Sequence, residues 1–215
     1  MKLSAETLRL YAVTDRAWLN GRTLGECVRE AISGGATMIQ IREKNLGYEA
    51  FKYQALEIQS ICRENHIPFI VNDNVNLAID INADGVHTGQ DDMSAEKVRE
   101  LIGAGKILGV SVRTAQEAIL AERNGADYLG AGAVFHTGSK SDAVDITHEA
   151  LKEICNSVKI PVVAIGGINA GNIHMLAGTG IDGVAVISAI FAANDIRKAA
   201  AELRGLSEKI SGHDA

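Results

Sequence analysis

Short, continuously apolar runs recur along the chain, and each is followed by a longer stretch with apolar residues three and four apart. The runs cover residues 10–14, 38–42, 69–72, 85–88, 107–112, 128–133, 162–166 and 183–188. They lack the apolar/polar alternation of a sheet with one wet face. Strands buried on both faces, as in parallel sheets, read this way. The intervening stretches read as amphipathic helices. In the longest, 48–66, Phe51, Ala55, Ile58 and Cys62 share a face. Ser94 is placed to cap the fourth helix, Thr114 with Glu117 forms a candidate capping box for the fifth, and Thr147 with Ala150 opens the sixth. A last helix spans 195–210, followed by a polar tail.

A partial internal repeat supports the count. Gly34-Gly35-Ala36-Thr37-Met38, Asn82-Ala83-Asp84-Gly85-Val86, Gly125-Ala126-Asp127-Tyr128 and Gly180-Ile181-Asp182-Gly183-Val184 each close a helix and start a strand. Gly and Asn accept the left-handed turn at a helix end. Eight such units fit in 215 residues, near the lower limit for a (β/α)₈ barrel, which is about 200 residues. The expected fold is therefore a single α/β domain over 1–215, a TIM barrel with its core at about 9–210. An open doubly wound sheet is the competitor, but no GxGxxG follows the first strand. The two prolines, Pro68 and Pro161, each begin a strand, where a missing N–H is tolerated.

Charge and composition exclude several function classes. The net charge is −6, with Lys and Arg scattered among acids. A nucleic-acid binder would show a basic face. The three cysteines are far apart, with no CxxC and no zinc spacing, and are expected as free thiols in a reducing compartment. No apolar run approaches the ~18 residues of a membrane span. The polar first eight residues lack a signal core, so a cytoplasmic location is expected. A homo-oligomer is compatible with the sequence.

Barrels of this type build their sites at the C-terminal ends of the strands. Gln40, Arg42 and Lys44 alternate at the second strand's end and share a side. An amide and two cations there suit a phosphate group, and salt bridges to Glu43 or Asp73 are the competing reading. Asp73 and Asp92 end adjacent strands. Two carboxylates at one mouth suit Mg²⁺, which completes its sphere with phosphate oxygens and water, while loop capping is the alternative. Asn72 and Ser111 end the third and fifth strands. The loop Thr137-Gly138-Ser139-Lys140 mixes hydroxyls, glycine and a cation as phosphate loops do, without a Walker A frame. Gly166-Gly167 and Ile187-Ser188 lie where such barrels hold phosphate on backbone amides; tight strand–helix packing is the other reading of the glycines. His87 lies inside a strand and reads as a packed, hydrogen-bonded residue before a catalytic one. No GxSxG or histidine–cysteine cluster suggests a serine hydrolase or zinc site.

These residues, in order, resemble the thiamine-phosphate synthase family. The motifs are Gln40-x-Arg42-Glu43-Lys44, Asn72-Asp73, Gly85-Val86-His87-x-Gly89-Gln90-x-Asp92, Gly109-Val110-Ser111 and Phe135-x-Thr137-x-Ser139-Lys140-x-Asp142. Val163-x-Ile165-Gly166-Gly167-Ile168 and Gly183-Val184-Ala185-Val186-Ile187-Ser188 follow, so the likeness runs from Leu10 to about Ala193. The resemblance implies a transferase that joins a hydroxymethylpyrimidine diphosphate to a thiazole ethyl phosphate, giving thiamine phosphate and diphosphate. It implies that Gln40, Ile41, Arg42, Glu43, Lys44, Asn72, Ser111 and Lys140 serve the pyrimidine diphosphate. It places Thr137, Gly138, Ser139, Gly167, Ile187 and Ser188 at the thiazole phosphate, and Mg²⁺ on Asp73 and Asp92. Catalysis would fall chiefly to Lys140, Ser111 and Arg42. His136 stands where the family usually carries proline, which leaves that loop less constrained. Rival readings are a thiazole tautomerase-like paralogue, a non-catalytic phosphate-binding barrel, and an aldolase with a Schiff-base lysine.

Overall fold

The computed structural model describes residues 3–19, 21–136 and 146–211. Eight strands close into one parallel barrel in chain order. They are β1 (Leu10–Val13), β2 (Met38–Ile41), β3 (Phe69–Asn72), β4 (Gly85–Thr88), β5 (Ile107–Val112), β6 (Tyr128–Gly132), β7 (Val162–Ile165) and β8 (Gly183–Val186). β1 meets β8 with Leu10 opposite Val184, which closes the ring. The helices are α1 (Leu24–Ser33), α2 (Tyr48–Glu64), α3 (Val75–Asp80), α4 (Ala95–Ile102), α5 (Ala115–Arg123) and α6 (His148–Ser157). A 3-10 turn, Ile173–Leu176, stands after β7 in place of an α-helix. A short α7 (Ser188–Phe191) and the long α8 (Ile196–Ile210) follow β8.

Several strands stop a residue or two before their apolar runs do. Gly166, at the end of one run, has φ +104°, outside the β region, so the chain leaves the ladder there. Thr14, Arg42, Ala133, Gly166 and Ile187–Ser188 thereby become mouth or loop residues rather than ladder residues.

Strand alternation divides the apolar residues into two cores. Leu10, Ala12, Ile39, Ile41, Phe69, Val71, Val86, Leu108, Val110, Leu129, Ala131, Ala164 and Val184 face the helices. Tyr11, Val13, Met38, Ile70, Ile107, Tyr128, Val163 and Ala185 fill the barrel. Both faces are covered, which explains why the runs showed no alternation. Leu8, in a 3-10 helix (Ala5–Leu8) just ahead of β1, joins the inner cluster from the N-terminal end and is fully buried.

The repeat seen in the sequence has a structural role. Before each even-numbered strand, a side-chain oxygen takes the N–H at the start of the preceding strand. Asp84 Oδ2 accepts from Phe69 N at 2.9 Å, Asp127 Oδ2 from Leu108 N at 2.8 Å and Asp182 Oδ2 from Val162 N at 2.9 Å. Thr37 Oγ1 does the same for Leu10 N at 2.9 Å. These N–H groups have no ladder partner at the barrel floor and would otherwise be orphaned.

Helix starts follow the sequence only in part. Thr147 accepts from Ala150 N at 3.1 Å, as its position suggests. Thr114 accepts from Glu117 N at 3.2 Å, but the Glu117 carboxylate takes Arg113 N at 2.6 Å, so the expected reciprocal box is only half made. Ser94 holds the cap position of α4 without a side-chain cap bond. The complete capping box is at α1, between Thr23 and Glu26, and such a cap contributes about 1 kcal/mol. Cys27 and Cys62 are buried and Cys155 is half-buried, all as free thiols. No helix among the described residues is long and apolar enough to cross a membrane.

Candidate active site

The C-terminal ends of the strands surround a cavity of about 170 Å³, an order of magnitude beyond the 10–15 Å³ or so that one water needs. Gln40, Arg42 and Lys44 reach it from β2, and Asn72 and Asp73 from β3. Gly89, Gln90 and Asp92 line it beyond β4, Ser111 and Arg113 at β5, Gly166 and Gly167 beyond β7, and Ile187 and Ser188 beyond β8. Residues chosen from six separate strand ends thus meet in one cleft.

Ile41 and Glu43 do not line the cavity. Ile41 sits one residue out of phase with Gln40 and Arg42, so it packs fully buried against the helices. Glu43 turns toward Arg16, 3.5 Å away, and caps Lys44 N at 3.2 Å. The Arg42 guanidinium lies 3.9 Å from Asp15, and its backbone N–H donates to Thr14 Oγ1 at 3.1 Å. Asp15 as a neighbour of Arg42 was not foreseen; it lies just beyond β1, and only barrel closure in register brings it beside β2. Arg113 adds a cation to the cavity wall. Its signal was available, since it stands two residues beyond Ser111 and so on the same side.

Asp73 adopts φ +59°, a left-handed conformation that Asp tolerates better than most residues. Its N–H is held by the His87 carbonyl at 2.9 Å. Asp92 is oriented by Gly89 N–H, which donates to Oδ2 at 2.8 Å. This second bond is a loop cap, so Asp92 has both a capping role and a place on the cavity wall. Among the described residues no three acidic, histidine or cysteine side chains form a metal cluster. Two carboxylates as hard oxygen donors fit a cation such as Mg²⁺ that takes its other ligands from phosphate and water.

Beneath the charged rim lies a polar layer inside the barrel. Gln40 Nε2 donates to the Tyr11 hydroxyl at 2.6 Å, and the Tyr11 and Tyr128 hydroxyls are 2.8 Å apart. His87 Nδ1 lies 2.9 Å from the Tyr128 hydroxyl, and Nε2 lies 2.9 Å from Ser111 Oγ. Gln90 Nε2 donates to the Ser111 carbonyl at 2.7 Å. His87 is therefore a buried, hydrogen-bonded residue that also touches the cavity. Burial pushes both tyrosine hydroxyls well above their ordinary pKa, so they stay protonated. No local signal marks this layer, because the two tyrosines read as ordinary strand residues.

Gly166 and Gly167 have φ of +104° and +65°. A Cβ at Gly166 would meet Ala133, and one at Gly167 the carbonyls of Phe135 and His136. Close packing is therefore one reason for glycine here, alongside a place on the cavity wall. His136 is exposed. Thr137, Gly138, Ser139, Lys140 and Asp142 lie outside the described residues.

Comparison with known proteins gives a consistent picture. The thiamine monophosphate synthase family profile matches residues 10–190. A thiamine-phosphate synthase from Clostridium tetani is 52% identical over 91% of this chain and 94% of its own. One from Clostridium novyi is 47% identical over 92% of this chain and 98% of its own. A solved thiamine phosphate pyrophosphorylase from Pyrococcus furiosus superposes with a TM-score of 0.89 at 46% identity, covering 97% of this chain and 99% of that one.

Proposed function

The chain belongs to the thiamine monophosphate synthase family, and from that premise we propose how its barrel mouth makes thiamine phosphate. A pyrimidine diphosphate and a thiazole phosphate enter as two small-molecule substrates. The bond between the pyrimidine methylene carbon and the diphosphate oxygen breaks, and diphosphate leaves with the electron pair. The thiazole nitrogen then bonds that carbon. No nucleophilic side chain is needed, which agrees with a sequence that carries no GxSxG motif.

The supporting observation is that Arg42 and Lys44 share one cavity with Asp73 and Asp92. Arg42 and Lys44 stabilise charge gathering on the leaving diphosphate, Arg as a planar fork and Lys as a point charge. Lys140 joins them by family likeness. Asp73 and Asp92 would hold Mg²⁺, which when bound neutralises diphosphate charge as a Lewis acid. Gln40, Asn72 and Ser111 orient the pyrimidine diphosphate by hydrogen bonds. Thr137, Gly138, Ser139, Gly167, Ile187 and Ser188 hold the thiazole phosphate, chiefly through backbone N–H groups and hydroxyls. Holding both reactants in contact supplies much of the remaining acceleration.

The test mixes both substrates with Mg²⁺ and follows diphosphate release and thiamine phosphate together. Asp92→Ala is expected to lose most turnover while keeping wild-type circular dichroism. Undiminished Mg²⁺-dependent turnover in that variant overturns the metal assignment.

A further inference from the structure

The polar layer inside the barrel is one continuous hydrogen-bonded chain, Gln40–Tyr11–Tyr128–His87–Ser111, with every link between 2.6 and 2.9 Å. Each hydroxyl has a single proton to give, and a neutral imidazole has one donor and one acceptor nitrogen. The direction of the chain can therefore be followed link by link. The Tyr11 oxygen accepts from Gln40 Nε2. Among the described residues the Tyr11 proton has one acceptor, the Tyr128 oxygen. The Tyr128 proton then goes to His87 Nδ1. An imidazole that accepts at Nδ1 carries its proton on Nε2, and this proton is given to Ser111 Oγ. The Ser111 proton is left for the cavity, which Ser111 lines. The opposite direction requires Gln40 to turn its oxygen to Tyr11; with Nε2 there, it strands the Tyr11 proton in a fully buried site.

The strands make room for this chain. A Cβ at Gly109 would overlap the Tyr128 ring and hydroxyl and His87 Nδ1, and one at Gly130 would come within 3.1 Å of His87 Cε1. Two neighbouring strands thus carry bare backbone where the Tyr128–His87 link crosses.

We propose that Tyr128 is a positioning residue that holds His87 as its Nε2–H tautomer and so presents Ser111 to the pyrimidine diphosphate as a hydrogen-bond donor. This rests on the reading that Ser111 faces that substrate. Tyr128 is the decisive link, because its hydroxyl is the group that meets Nδ1, at 2.9 Å.

Two-bond ¹H–¹⁵N spectra of the substrate-free protein read the tautomer directly, with the His87 signals identified by their loss in His87→Gln. The wild type is expected to show Nδ1 unprotonated and Nε2 protonated. Tyr128→Phe removes the donor at Nδ1, and the pattern should shift toward a tautomer mixture. Tyr11→Phe should leave it unchanged, because the Tyr128 proton still has Nδ1. A generic loss of packing would not separate the two variants in this way. With substrates, Tyr128→Phe should lower kcat about tenfold, the effect of roughly one well-placed hydrogen bond, with a smaller change in KM. A wild-type imidazole protonated on Nδ1 in an enzyme that turns over overturns the relay and leaves the synthase reading intact. An unshifted tautomer in Tyr128→Phe also overturns it. The expected tautomers with undiminished kcat in Tyr128→Phe overturn the claim that Ser111 donates to substrate. The expected wild-type tautomer in a protein without synthase turnover overturns the functional reading instead.

Discussion

Replacing Asp127 by alanine removes one of the four side-chain clasps at the barrel floor, and the structure allows its cost to be worked out. Asp127 Oδ2 accepts from Leu108 N at 2.8 Å and from Arg99 Nη2 at 2.6 Å. Leu108 is fully buried, so its orphaned N–H costs about 1–3 kcal/mol. The ion pair is partly exposed on the carboxylate side, at 42%, and contributes about 0–1 kcal/mol after solvent screening. Arg99 keeps its bonds to the carbonyls of Gly103, Lys106 and Gly125 and is not itself stranded. The expected loss is about 2–3 kcal/mol, which for a domain of this size lowers Tm by about 4–12 °C. Asp127→Asn retains an oxygen for Leu108 N–H and should lose about 1 kcal/mol or less. Urea denaturation of both variants is the assay, with synthase kcat measured in parallel. Because Asp127 precedes β6 and the cavity lies beyond its other end, kcat should be unchanged. An alanine variant within about 0.5 kcal/mol of wild type, the size expected of an uninvolved surface substitution, refutes the reasoning. So does an alanine variant no less stable than the asparagine one.

Gly109→Ala should both destabilise the fold and impair turnover, since the new methyl group collides with Tyr128 and His87. Overpacking of this kind costs about 1–3 kcal/mol, and unchanged stability with unchanged kcat would contradict the crowded geometry. At alkaline pH two of the thiols, Cys62 (buried) and Cys155 (half-buried), set a slope. Burial pushes Cys62 and Cys155 from 9.0 up to about 12, so between those values the unfolded chain has released protons that the folded one retains. Stability should be fully present below pH 9 and fall above it, by about 1.4 kcal/mol per pH unit for each thiol. Denaturation midpoints in Cys62→Ala and Cys155→Ala should lose part of that slope, and an identical slope in both variants would argue against it.

The sequence carries the fold because strand burial on both faces and helix periodicity are local signals. Three strands, 69–72, 85–88 and 107–112, begin and end where their apolar runs do. The charged rim was also legible, since alternation along β2 is enough to pair Arg42 with Gln40 and Lys44. The same alternation turns the side chains of Ile41 and Glu43 away from that rim. What stayed hidden depends on contacts across the ring. Asp15 beside Arg42, the tyrosine layer, and the carboxylates that clasp the floor all join residues from different βα units. Ser94 shows the converse limit, a capping residue in the right place that makes no capping bond.

Leu8 closes the barrel from its N-terminal end, so among the described residues the cavity is entered from the C-terminal ends of the strands. In the proposed reaction, a substrate held nearer His87 would then enter first and leave last, because the other would stand between it and solvent. Traffic through such a blind chamber is a queue, so the order of arrival is dictated by depth rather than by affinity alone. A product still lodged at the entrance then holds the whole cycle up.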